Sequence, residues 1–167
     1  MERIIRNEPA TRPVRKEDLD LLFTMLTDLI KHEGLEERFK MTREGLEEEL
    51  FGQSADWYCL VATHSEDESV GFCLYTFTNI NRAFNTSPLI QLDDIYVKPE
   101  WRSSGIGQSL LIHLARIASE HGAGRINAWC VRDNEQGQNF YRKIGAEKRD
   151  FVDIYSIQVK DLLDKGY

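Results

Sequence analysis

Apolar residues recur along the chain in two rhythms, one of three to four residues and one of two, and their alternation predicts an α/β fold. After a polar lead-in over residues 1–9, residues 10–13 predict a short strand. Lys16 opens a helix whose positions Leu19, Leu22, Phe23, Leu26, Leu29 and Ile30 share one face, and Gly34 ends it. Thr42 is placed to cap a second helix reaching Gly52, with Leu46, Leu50 and Phe51 as its buried stripe. Residues 57–63 and 69–78, rich in aromatic and β-branched side chains, flank a polar turn and predict a hairpin, and residues 88–98 predict a third such strand. Ile106, Leu110, Leu114, Ile117 and Ala118 then recur at helical spacing, so residues 105–121 predict a helix capped by Gly122. A strand over 125–131, a helix over 134–144 and a closing antiparallel pair over 148–152 and 155–159 complete the reading.

The 167 residues suffice for one domain, and no linker or repeat divides them. Acidic side chains number 28 against 21 basic ones, a net charge of −7, which disfavours nucleic acid and suits a small cationic partner. Cys59, Cys73 and Cys130 lie far apart in apolar stretches and predict buried free thiols rather than a disulfide framework. His32, His64, His113 and His121 form no metal-ligand pattern, so no metal is expected. The opening Met1-Glu2-Arg3-Ile4-Ile5-Arg6 has no apolar core of a signal peptide, and no run approaches a membrane span; the expected location is the cytoplasm.

Candidate chemistry concentrates where the third strand passes into the amphipathic helix, at Leu92-Asp93-Asp94-Ile95-Tyr96-Val97-Lys98-Pro99-Glu100-Trp101-Arg102-Ser103-Ser104-Gly105-Ile106-Gly107. Two glycines at a helix N-terminus, with its unpaired N–H groups and dipole, favour a bound phosphate, to which Arg102 could add a charge-assisted contact. The dinucleotide fingerprint fails because Leu110 replaces its third glycine, and a P-loop fails because no Gly-Lys-Ser/Thr follows.

These residues resemble the GNAT superfamily of N-acetyltransferases, whose acetyl-CoA signature R/Q-x-x-G-x-G/A is matched from Arg102 to Gly107. A second signature, N-x-x-A/G-x-x-F-Y, is similar to Asn134-Glu135-Gln136-Gly137-Gln138-Asn139-Phe140-Tyr141. The diamine (spermidine/spermine) branch is resembled further at Lys31-His32-Glu33, Tyr58-Cys59-Leu60-Val61-Ala62 and Leu92-Asp93-Asp94-Ile95-Tyr96-Val97, although that branch commonly has Tyr-Glu and Glu-Asp where this chain has His32-Glu33 and Asp93-Asp94. The resemblance implies one domain over residues 1–167, built on a mixed, twisted β-sheet that splays near residues 94–97 and carries helices on both faces. It implies acetyl-CoA as donor, a small polyamine-like or diamine-like acceptor attacking directly in a ternary complex, and a homodimer.

By the same resemblance, backbone groups of Ile95, Tyr96 and Val97 would meet the pantetheine arm. Arg102, Ser103, Ser104, Gly105, Ile106, Gly107 and Gln108 would cradle the pyrophosphate, and Asn134, Glu135, Gln136 and Gly137 would line the donor. The acceptor would meet His32, Glu33, Asp93, Asn127, Ala128 and Trp129, and Tyr141 would be the general acid. These residue types suit the reaction. A primary amine of pKa about 10.4 is almost wholly protonated at pH 7, a handicap of roughly 4 to 5 kcal/mol, so a carboxylate must take its proton. Asp93 is the expected relay and Glu33 the holder of a distal charge, while Tyr141, with a pKa near 10, can protonate a departing thiolate of pKa near 8.5. An acetyltransferase acting on protein lysines or N-termini, and a non-catalytic acyl-CoA sensor, are the alternatives.

Overall fold

The computed structural model describes residues 10–65, 68–80, 87–150, 153–160 and 163. The chain divides into two compact units, residues 1–134 and 135–167. The first is a five-stranded sheet in the order β1-β2-β3-β4-β5. Strands β1 (Ala10–Pro13), β2 (Tyr58–Ser65), β3 (Glu68–Thr78) and β4 (Leu89–Val97) pair antiparallel, and β5 (Ile126–Ala128) pairs parallel to β4. Helices α1 (Leu19–His32) and α2 (Arg43–Phe51) lie between β1 and β2 in the chain, and α3 (Ile106–Glu120) lies between β4 and β5.

Local chemistry sets these boundaries. Arg12 on β1 donates to both carboxylate oxygens of Asp18, at 2.6 and 2.8 Å, and Asp18 also accepts the Arg15 N–H, so the strand is tied to the turn that starts α1. This guanidinium holds the Asp18 carboxyl below its ordinary range. Gly34, at φ +67°, takes the left-handed conformation that ends α1. The Thr42 side chain accepts from the Gly45 N–H at 3.0 Å and caps α2 as expected.

Both faces of the sheet are covered. Cys59, Val61, Phe72, Leu74 and Tyr96 form one core with Leu19, Leu22, Met25, Leu26 and Leu29 of α1 and Leu46 of α2. Strand alternation turns Leu60, Ala62, Cys73 and Tyr75 to the other face, all of them buried, where α3 contributes Ile106, Leu110, Leu114 and Ala118. The Phe77 ring meets His121 at the end of α3 with centroids 4.9 Å apart. Each fully buried leucine of these cores contributes about 1.5–3 kcal/mol of transfer free energy. Among the described residues no helix is long and apolar enough to cross a membrane.

Two irregularities in β4 matter for function. Tyr75 pairs with Leu92 but the next residue of β3, Leu74, pairs with Asp94, so Asp93 is the extra residue of a β-bulge. On its other edge β4 pairs with β5 only at Ile90, Gln91 and Leu92, and β5 stops at Ala128 while β4 continues to Val97. The sheet thus opens over the expected stretch.

The second unit contains α4 (Glu135–Lys143), which closes at Gly145, φ +82°, with the Gly145 and Ala146 N–H groups bonded to the carbonyls of Arg142 and Tyr141. Three expectations change. The strand over 125–131 shortens to Ile126–Ala128, and Cys130 beyond it is only partly buried. The closing antiparallel pair is not formed: residues 148–150 and 153–158 have no regular structure, and residues 151–152 lie outside the described residues. Ile154, Tyr155 and Ile157 are 65–86% exposed. Alternation specifies a pleated face but supplies no neighbour for the strand's own N–H and C=O groups, and no described strand pairs with this segment.

Candidate active site

The chain leaves β4 through the short turn Pro99–Trp101, and Ser103 (φ +60°) and Gly105 (φ +88°) then turn it left-handed into α3. A Cβ at Gly105 would meet nothing within 4 Å, so the glycine answers a backbone angle and not a lack of space. The first intrahelical bond runs from the Ser109 N–H to the Gly105 carbonyl at 2.9 Å, leaving the N–H groups of Ile106, Gly107 and Gln108 without helical acceptors. Ser103, Ser104, Gly105 and Gln108 are exposed, Gly107 is half-buried, and Ile106 anchors the turn in the core. The Ser104 hydroxyl donates to the Trp101 carbonyl and fixes the loop. This is a concave row of donors at the positive end of a 15-residue helix.

Arg102 is held against the strand that precedes it. Its Nε donates to the Val97 carbonyl at 2.9 Å and its guanidinium carbon lies 5.5 Å from the centre of the Tyr96 ring, so it braces the loop against the strand. The Lys98 N–H bonds the Val70 carbonyl of β3, and alternation then aims the backbone groups of Tyr96 and Asp94 at β3 and those of Ile95 and Val97 at the open edge.

At the bulge the structure gathers acids. Burial raises the Asp93 carboxyl above its ordinary range, and its Oδ2 is buried without a hydrogen-bond partner. Asp94 is pushed up to about 6, chiefly by burial and further by the charges of Asp93 and Glu33. Glu33, half-buried at the end of α1, accepts from the Asn134 side-chain amide at 3.1 Å. His32 beside it is exposed. Asn127 is half-buried on β5, Ala128 exposed, and Trp129 is 65% exposed just past the end of β5.

A recess of about 350 Å³ opens on the α1 side of Asp94. Leu26 and Ile30 of α1, Leu35, Phe39 and Met41 of the loop before α2, and Trp57 before β2 line its walls, with Arg38 and Lys40 as the cationic members of the lining. Asp94 and this loop carry no role among the sequence expectations. The available signal was three apolar residues at 35, 39 and 41 in an otherwise charged connection. In the second unit, α4 carries Glu135, Gln136, Gly137 and Tyr141, whose half-buried ring lies edge-on to Phe140 with centroids 5.4 Å apart.

Comparison with known proteins places this arrangement. The acetyltransferase (GNAT) family matches residues 23–146. Thialysine N-epsilon-acetyltransferase of Bos taurus is 27% identical over 140 residues, covering 81% of this chain and 82% of that one. Spermidine/spermine N(1)-acetyltransferase-like protein 1 of Homo sapiens is 26% identical over 159 residues, covering 90% of this chain and 22% of the other. Among solved structures, an aminoglycoside N-acetyltransferase in complex with CoA has a TM-score of 0.69 at 18% identity, over 89% of this chain and 99% of that one. An integron cassette protein from the mobile metagenome of V. cholerae reaches 0.73 at 24% identity, over 95% and 97%.

Proposed function

Because the chain belongs to the acetyltransferase (GNAT) family and is an acetyl-CoA-dependent N-acetyltransferase, we propose that its acceptor is the primary amine of a small flexible molecule of the diamine, polyamine or thialysine-like kind, attacking directly in a ternary complex. The observation that carries this reading is the convergence of Glu33, Asp93 and Asp94 at the bulge of β4, on the same strand that leads into the donor cradle. Three carboxylates meeting in one partly desolvated place favour an ammonium ligand and offer a base for its proton.

The described residues fit acetyl-CoA: the N–H groups of Ile106, Gly107 and Gln108, with the loop from Arg102 to Gly105, suit a pyrophosphate, and the open edge at Ile95 and Val97 suits an amide-bearing arm. When bound, this donor supplies an activated thioester. Asp93 accepts the amine proton directly or through water, with Asp94 beside it. Glu33 holds a second ammonium where the acceptor has one. Asn134, Glu135, Gln136 and Gly137 line the donor, Asn127, Ala128 and Trp129 line the acceptor, and Tyr141 delivers a proton to the departing sulfur. Residues 1–167 act as one acetyltransferase domain, in the cytoplasm and as a homodimer; light scattering returning the mass of a single chain would remove the dimer from this reading.

The test is CoA-thiol release from acetyl-CoA with spermidine, spermine, putrescine, thialysine, lysine and a lysine peptide. Turnover of a small amine is expected, reduced by about a hundredfold or more in Tyr141→Phe. Tight acetyl-CoA binding with no thiol released by any amine would point to a sensor and sink the proposal, and turnover of the peptide alone would transfer it to protein acceptors.

A further inference from the structure

We propose that His64 is a positioning residue for the donor: its ring, set against Trp101, holds the turn before α3 in the shape from which the cradle grips a pyrophosphate. The inference rests on the acetyl-CoA reading and concerns a residue outside the cradle itself. The turn needs holding. Ser103 is a non-glycine residue at φ +60°, and a conformation of that kind persists only where its surroundings over-determine it. The Trp101 N–H bonds the Lys98 carbonyl at 2.9 Å and the Arg102 N–H bonds the Pro99 carbonyl at 3.2 Å. Those bonds close the turn on itself without fixing its place on the sheet.

Three neighbouring strands fix that place. On β4 the Val97 carbonyl accepts from the Arg102 side chain, and on β3 the Val70 carbonyl accepts the Lys98 N–H at 2.9 Å. On β2, two strands from β4, the half-buried His64 meets the Trp101 ring with centroids 4.5 Å apart and planes inclined at 45°. Trp101 is also the residue whose carbonyl accepts the Ser104 hydroxyl. A displaced Trp101 therefore carries Ser104 with it, and the N–H groups that open α3 lose their common focus. Donors held in place beforehand bind an anion without an ordering cost at the moment of binding. The Nδ1 of His64 is buried without a hydrogen-bond partner, so this histidine costs the fold stability that an apolar ring there would not. The contact with Trp101 is what it offers in return.

Two donors separate this role from general support of the fold: acetyl-CoA, and S-acetylpantetheine, which keeps the thioester arm and lacks the pyrophosphate. In His64→Ala, the Kd for CoA from calorimetry and the KM for acetyl-CoA are expected to rise about tenfold with kcat nearly unchanged. With S-acetylpantetheine, which does not reach the cradle, kcat/KM stays within about twofold of that of the unaltered enzyme. His64→Phe keeps a ring against Trp101 and removes the orphaned nitrogen; it is expected to restore the affinity for CoA and to melt above the unaltered protein. His64→Gln removes the ring without leaving a hole and replaces the alanine variant if that one does not fold. The inference is overturned if loss of the ring leaves the Kd for CoA where it was, if both donors suffer equally, or if His64→Phe binds CoA as weakly as the variants without a ring. Failure of the unaltered protein to bind CoA at all defeats the donor reading beneath it.

Discussion

Asp93 and Asp94 are adjacent and chemically identical, yet the bulge gives them different surroundings: an orphaned buried oxygen on the first, and a place on the recess wall with a carboxyl held up at about 6 for the second. A folded-state value above the unfolded one means that the native protein holds this proton more tightly. The group therefore costs stability progressively as pH rises from about 4 to about 6, and no more above that. Asp94→Asn is expected to melt higher than the unaltered protein at pH 7.5 and at nearly the same temperature at pH 4; equal differences at both would contradict the assignment. In kinetics, Asp94 beside the proposed Asp93 relay should make kcat/KM change through an apparent pKa near 6 in the unaltered enzyme, and Asp94→Asn should lose that inflection. Gly105 makes a separate demand. A side chain there has room but the wrong backbone angle, so Gly105→Ala should cost about 1–2 kcal/mol in thermal or urea denaturation and raise KM for acetyl-CoA.

Elements with their own periodicity were legible from the chain. The two-residue and 3.6-residue rhythms located β2, β3, β4 and α3 within a residue or two and α1 within three, its first turn being a separate short 3-10 turn over Lys16–Asp18, and Thr42 and Gly34 marked helix ends by local chemistry that the structure repeats. Features that depend on a neighbour were not. The bulge at Asp93 is a property of the β3–β4 pairing, the shortness of β5 is a property of its partner, and the alternation over 155–159 had no partner to satisfy it. The recess was missed for the same reason, since it forms where a loop, a helix and a strand distant in sequence meet. The contact between Arg12 and Asp18 is another such junction. Asp18→Asn should destabilise the protein by about 2 kcal/mol. Because the native Asp18 carboxyl lies below its unfolded value, the stabilisation is complete above about pH 4 and is lost as pH falls through the native value. A pH titration of melting temperature in which Asp18→Asn tracks the unaltered protein down to pH 2, offset by a constant amount, would count against it.

At the scale of the whole molecule, a net charge of −7 produces a field that draws any cationic amine toward the surface, and salt screens it. kcat/KM for hexane-1,6-diamine is accordingly expected to fall more steeply between low and high salt than that for the zwitterionic 6-aminohexanoate; parallel declines would indicate that the molecular field plays no part in acceptor capture. The open edge of β4 has a different cost for the folded chain. Among the described residues no strand pairs with β4 beyond Leu92 on this edge, and the outward backbone groups of Ile95 and the Val97 N–H are a template for another strand. The sharp local twist at the bulge and the two aspartates there discourage a flat neighbour from aligning, so the residues proposed to meet the acceptor also guard against self-association. A variant with apolar side chains at both positions would be a poor enzyme and, for this separate reason, a sticky protein.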